Sequence, residues 1–168
     1  VLGQSLVAAT NSCQGLQAHS LHAYFIRAGS STMPIEYQVD RLRDGKSFSV
    51  RRVTALQNNQ AILILSASFQ APESGFEHQI EMPDVAPPES LPSELDLARA
   101  VKDRIPASIR EQSTCDRPIE IRQVDPINPF KPEKMPATRY AWFRTTGPMS
   151  KDPTLNKCLL AYASDFGL

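Results

Sequence analysis

Hydrophobic positions follow two different periods along the chain, and the switches between them mark out its elements. In "VLGQSLVAATNS", Leu2, Leu6 and Ala9 recur at helical spacing, and Asn11 with Ser12 ends the pattern. From Gln17 to Gln70 the texture is that of strands. "HSLHAYFIR" is dense in apolar and aromatic residues, and "PIEYQVDRLRDG" alternates Ile35, Tyr37 and Val39 with Glu36, Gln38 and Asp40. Asp44-Gly45 predicts a tight turn into "KSFSVRRVTAL", and Asn58-Asn59 a second one into "QAILILSASFQ". The nearly unbroken apolar run of that last segment predicts a central strand buried on both faces. Together these segments predict an antiparallel meander of about four strands, preceded by a helix that needs a face to cover.

Proline then interrupts the pattern. Pro83, Pro87, Pro88 and Pro92 predict an extended linker, in which Ser93 caps a short helix carrying Leu97, Val101 and Ile105 until Pro106 stops it. Two further strands are predicted in "RPIEIRQV" and "TRYAWFRTT", separated by a loop containing Pro126, Pro129, Pro132 and Pro136. A final helix starts near Ser150 or Asp152, with Pro153 in its first turn and a stripe of Leu155, Leu159 and Tyr162 widened by Cys158. The order of elements predicts two similar units: one over 1–82, a linker over 83–114, and the beginning of a second over 115–168. No capping residue precedes Val1, and the last helix has no sheet after it to lie on. The sequence therefore reads as a fragment, lacking the start of the first unit and most of the second.

Composition narrows the function classes. A length of 168 residues suits one ordinary domain or two small ones, and a hydrophobic fraction of 41% is that of a globular chain. Eighteen basic residues balance eighteen acidic ones, so no nucleic acid or anionic membrane is indicated as a partner. No apolar run approaches the roughly 20 residues that span a bilayer, and no charged start precedes a secretory apolar segment. A soluble, cytoplasmic protein is expected. Cys13, Cys115 and Cys158 are far apart and form no CxxC pair, which argues against a zinc site or redox dithiol and for a reducing compartment. Neither GxGxxG nor a P-loop is present, and Ser5 lacks a nucleophile elbow. No cofactor and no metal are expected.

A few polar residues remain as candidates for chemistry. His19 and His22 are three apart, so on a regular strand they point to opposite faces and share no ion without a bulge. His78 reads as part of a loop. Arg41, Arg43, Lys46, Arg51 and Arg52 surround one hairpin; such charges hold phosphates or, more commonly, keep exposed strands soluble. Asp165 closes the apolar stripe of "CLLAYASDFGL". A carboxylate near a helix C-terminus opposes the macrodipole, and burial beside Tyr162 and Phe166 would also disfavour its charge, both of which favour a better base. A solvated acid at a helix end is the plain alternative.

"HSLHAYFIRAG", "RLRDGKSFSVRRVTALQ", "ASFQAPESGFEHQ", "CDRPIEIR" and "LLAYASDF", taken in order, resemble the acyl-CoA thioesterase II family, which includes bacterial enzymes and a peroxisomal relative. The resemblance implies an α+β double hot-dog fold, each half wrapping a curved antiparallel sheet around a long helix. It implies metal-free hydrolysis of acyl-CoA to fatty acid and CoA by a water held among an aspartate, a Ser or Thr, and a Gln. Asp165, in "YASD", matches the family aspartate. The hydroxyl and amide partners map to strands of the second unit outside this sequence, and Ser68 and Gln70 are not assigned in their place. His19, in the family's "HS" segment, is an outside candidate. The alternative is a hot-dog module that binds an acyl chain or assembles without chemistry. Acyl-CoA is the expected substrate. A homo-oligomer, or pairing with the missing C-terminal segment, is expected to cover the 153–166 helix, which would otherwise drive aggregation. For a eukaryotic relative the compartment would be the peroxisome, with any targeting signal beyond Leu168.

Overall fold

The computed structural model describes residues 1–166; Gly167 and Leu168, the end of the expected second-unit segment, lie outside the described residues. The chain forms two compact units, Val1–Glu77 with Ser150–Leu168, and His78–Met149.

In the first unit, helix α1 (Leu2–Asn11) accompanies strands β1 (Gln17–Phe25), β2 (Glu36–Asp44), β3 (Phe48–Gln57) and β4 (Gln60–Gln70). The sheet order is β1-β4-β3-β2, with every pairing antiparallel. Only β2, β3 and β4 form the expected meander; β1 lies beside β4 instead of β2. Asn58 and Asn59, at φ 49° and 60°, make the left-handed two-residue turn that closes β3 onto β4. The connection from β1 to β2 is long enough to cross the sheet, and Gln57 fastens it. The Gln57 side chain accepts from Ser30 N at 2.8 Å and donates to the carbonyls of Ser30 at 2.8 Å and Met33 at 3.0 Å.

Register decides which face α1 covers. Val53 lies opposite Leu65 and Ala55 opposite Leu63, so these residues share one face with Ala67 and Phe69. Leu2, Leu6 and Ala9 of α1 complete that core. The other face of β4 carries exposed Ser66 and half-buried Ile64 and Ser68, so β4 is central but not buried on both faces as expected. Alternation of Ile64, Ser66 and Ser68 against Leu63, Leu65 and Ala67 is the physical reason. A helix laid across one face of an antiparallel sheet is the hot-dog arrangement expected for this unit.

Helix α4 (Pro153–Ala163) also belongs to this unit. Asp152 caps it by accepting from Thr154 N at 2.9 Å, and Pro153 occupies its first turn, as predicted. α4 lies against α1, burying Cys158, Ala161 and Ala163, while Leu155, Leu160 and Tyr162 stay exposed. Small residues permit a close approach here. A Cβ on Gly3 would come within 2.9 Å of the Cys158 carbonyl oxygen and 3.1 Å of Tyr162 Cβ. Burial pushes the Cys158 thiol pKa up, consistent with an inert packing residue. Gly3→Val is accordingly expected to destabilise the protein by about 2 kcal/mol through overpacking. An unchanged denaturation midpoint would refute this contact between α1 and α4.

The second unit holds α2 (Glu94–Ala100), α3 (Ala107–Thr114) and an antiparallel pair, β5 (Ile119–Gln123) with β6 (Ala141–Thr145). Ser93 and Asp96 form a capping box at the start of α2. The helix gives way to a short 3-10 turn at Lys102–Arg104, and Pro106 then opens α3, a helix the sequence pattern does not predict. Proline has no amide hydrogen and a fixed φ, so it suits a helix start as well as a stop. Within α3 only Ile109 is a large apolar residue, which leaves no stripe to detect. Among the described residues no helix is long and apolar enough to cross a membrane.

Candidate active site

Asp165 sits just past the end of α4, where the chain continues as a turn. Ser164 N donates to Leu160 O at 2.9 Å, Asp165 N to Tyr162 O at 3.4 Å, and Phe166 N to Ala163 O at 3.1 Å. Tyr162 and Phe166 meet edge to face with centroids 5.0 Å apart, one helical turn from each other. The expected burial of Asp165 beside these rings is not observed: it is exposed, and no described side-chain hydrogen bond or ion pair involves its carboxylate.

His19 occupies a β-bulge. Ala18 pairs with Phe69 and Ser20 with Ser68, leaving His19 as the extra residue. The bulge shifts the alternation, so Leu21 and Ala23 turn toward the core while His19, Ser20 and His22 are all exposed. The two histidines therefore do not fall on opposite faces as a regular strand would require. His22 stacks edge to face with Tyr24, centroids 4.6 Å apart. His19 Nε2 lies 2.9 Å from Ser68 Oγ, and its ring meets Phe48 edge-on at 6.2 Å. No cluster of three or more His, Cys, Asp or Glu able to hold a metal occurs among the described residues. The spacing of Ala18 and Leu21, three apart in "QAHSLHAYF", is the signal by which the bulge could have been found.

His19 and Asp165 belong to the same unit, but no hydrogen bond or ring contact joins them among the described residues. Lys157 of α4 ties that helix to β1, its Nζ donating to Gln17 Oε1 at 2.8 Å. The hairpin's two aspartates pair with three of its five basic residues, and Arg43 and Lys46 are in no ion pair among the described residues. Arg52 pairs with Asp40 at 2.9 Å, Arg41 with Asp44 at 3.3 Å, and Arg51 also with Asp44. Exposed His78 lies in irregular chain.

Residues 1–70 match the family model for the acyl-CoA thioesterase N-terminal domain, and residues 108–168 match the model for acyl-CoA thioesterase. The structure aligns with an acyl-CoA thioesterase II from Mycobacterium marinum at a TM-score of 0.72 and 35% identity, over 99% of this chain and 57% of that one. This chain belongs to the acyl-CoA thioesterase II family. Acyl-CoA thioesterase 2 of Haemophilus influenzae is 44% identical over 148 residues, covering 88% of this chain and 52% of the relative. Human acyl-coenzyme A thioesterase 8 is 39% identical over 175 residues, covering 99% and 55%. The chain thus spans about half the length of the curated relatives it matches. At 22% identity, a hot-dog protein from Alicyclobacillus acidocaldarius still superposes with a TM-score of 0.69, over 96% of this chain and 56% of that one. The fold is the hot-dog fold of α+β class.

Proposed function

We propose that this acyl-CoA thioesterase II family member hydrolyses acyl-CoA thioesters to a free fatty acid and CoA, with Asp165 accepting the proton of the attacking water. The identity to the Haemophilus influenzae thioesterase carries the reading, together with the family match over the segment that contains "YASD". Chemically, the water oxygen bonds to the thioester carbonyl carbon while its proton passes to the carboxylate. The tetrahedral oxyanion collapses, the carbon–sulfur bond breaks, and CoA leaves as a thiolate that takes up a proton. A thiol of pKa near 8.5 is a far better leaving group than an amine, so activating the water and holding the oxyanion dominate the barrier. In this reading the oxyanion and water are held by a Ser or Thr and a Gln outside these 168 residues. Thiol release from acyl-CoA by the complete protein, followed with a chromogenic thiol reagent, is the test; no release would sink the proposal.

His19 is assigned here to fastening the β1 bulge through Ser68 rather than to the chemistry. His19→Gln is expected to keep turnover within about threefold, whereas loss of a general base costs about a hundredfold or more. A hundredfold loss, with substrate affinity unchanged, would instead place His19 in the site. The reading extends to oligomerisation through the sheets and to a reducing compartment, the cytoplasm or in a eukaryote the peroxisome. Unpaired Cys13 and Cys158, both buried, support the latter.

A further inference from the structure

The second unit contains a cavity of about 430 Å³ that the hydrolase reading does not use. Its apolar wall comes from α2, α3 and the turn between them: Leu97, Val101, Ile105 and Ile109, facing Ile127 and Phe130. Neither α2 nor α3 has a single buried residue, so this stripe is not closed by the unit's own core. Two guanidinium groups also line the cavity. Arg104 lies over the Phe130 ring, 3.5 Å from its centroid, and Arg139 donates to Gln123 Oε1. Neither is in an ion pair among the described residues. The single acid of the lining, Glu94, is engaged by Gln123 Nε2. The cavity thus carries an excess of positive charge at one part of an otherwise apolar lining.

We propose that this cavity binds an unbranched aliphatic carboxylate, its chain against the Leu97–Ile109 stripe and its carboxylate on Arg104 and Arg139. The chemistry matches at both ends: an apolar cleft takes the chain, and a few placed polar groups fix the head. A guanidinium already stacked on an aromatic ring is held in place and keeps its edge N–H groups for a carboxylate. At liquid water's share of about 30 Å³ per molecule, the volume suits roughly a dozen non-hydrogen atoms, the size of decanoate. The inference stands on this cavity alone and does not depend on Asp165 or on hydrolysis.

The test is calorimetric titration of the full chain with decanoate, with 1-decanol as the neutral comparison. Decanoate is expected to bind at one site and decanol at least fivefold more weakly. Arg104→Gln, an exposed position, is expected to weaken decanoate by roughly fivefold, the upper range for one exposed charge pair, and to leave decanol unchanged. Ile109→Asp, also exposed, places a carboxylate against the chain and is expected to weaken both ligands at least tenfold. Absence of binding, equal affinity for decanol, or decanoate affinity unaltered in both variants would overturn the proposal. Asp165→Asn serves as the control that separates this site from the proposed catalytic one, since its decanoate affinity at the cavity is expected to be that of the parent.

Discussion

Asp165→Asn is expected to lower thioester hydrolysis by the complete protein by about a hundredfold or more, with little change in substrate affinity. Asparagine keeps the shape of aspartate but cannot take a proton from water, so the variant isolates the proton-accepting step. General-base catalysis is worth roughly 10²–10⁴ in rate, which sets the lower end of the expected loss. Asp165 is exposed and lies beyond the last residue of α4, so the substitution removes no packing and no described side-chain hydrogen bond. A fall in kcat with KM held within a few-fold is therefore the expected pattern, that of an interaction made mainly in the transition state. An unchanged kcat would remove Asp165 from the chemistry even if hydrolysis itself is confirmed. A rise in KM alone would make it a binding residue.

Most of the first unit was legible in the sequence because its patterns are local. Leu2, Leu6 and Ala9 marked α1, two-residue alternation marked β2, and Asn58-Asn59 marked the turn into β4. What the sequence hid depends on partners distant along the chain. Nothing in "HSLHAYFIR" says that β1 pairs with β4 rather than β2, because strand order is set by a crossover and its anchor at Gln57. The packing of α4 on α1 is hidden in the sequence for a related reason. Large residues define its apparent stripe, but the small faces of Cys158 and Ala161 let it approach Gly3. At the candidate site, "YASD" singled out Asp165 through resemblance, while its exposure could not be read from the aromatic neighbours that suggested burial. The His19–Ser68 contact required the bulge, which a simple two-residue period conceals.

Arg51→Met is expected to cost about 3 kcal/mol of stability, a larger loss than any surface charge on the same hairpin would give. Arg51 is 1% exposed and reaches from β3 to the end of α1. Its Nε donates to Ser12 Oγ at 2.7 Å, Nη2 donates to Ser12 O at 3.1 Å and to Asp44, and Nη1 donates to Arg43 O at 2.8 Å and Val50 O at 3.0 Å. A cation at the C-terminal end of α1 also meets the negative end of its dipole. Methionine fills part of the volume but withdraws this donor from those oxygens, so the end of α1 and the bulge in β2, where Arg41 pairs with Arg51 and Arg43 with Val50, lose their common anchor. The charge has a pH signature as well. The hydrogen bond from Arg51, followed by the charge of Arg41, holds the Asp44 carboxyl below its ordinary value of 3.8. A carboxyl lowered in the folded state adds stability above its unfolded value, and that stability is lost as pH falls through the folded value. The parent protein should therefore lose this contribution as pH falls from about 4, whereas Arg51→Met has largely lost it at every pH. Urea midpoints of both proteins at pH 7 and pH 3 test this: the gap between them should narrow at the lower pH. A gap that is the same at both values would show that Arg51 stabilises the fold through the Ser12 hydroxyl and its carbonyl partners, without Asp44.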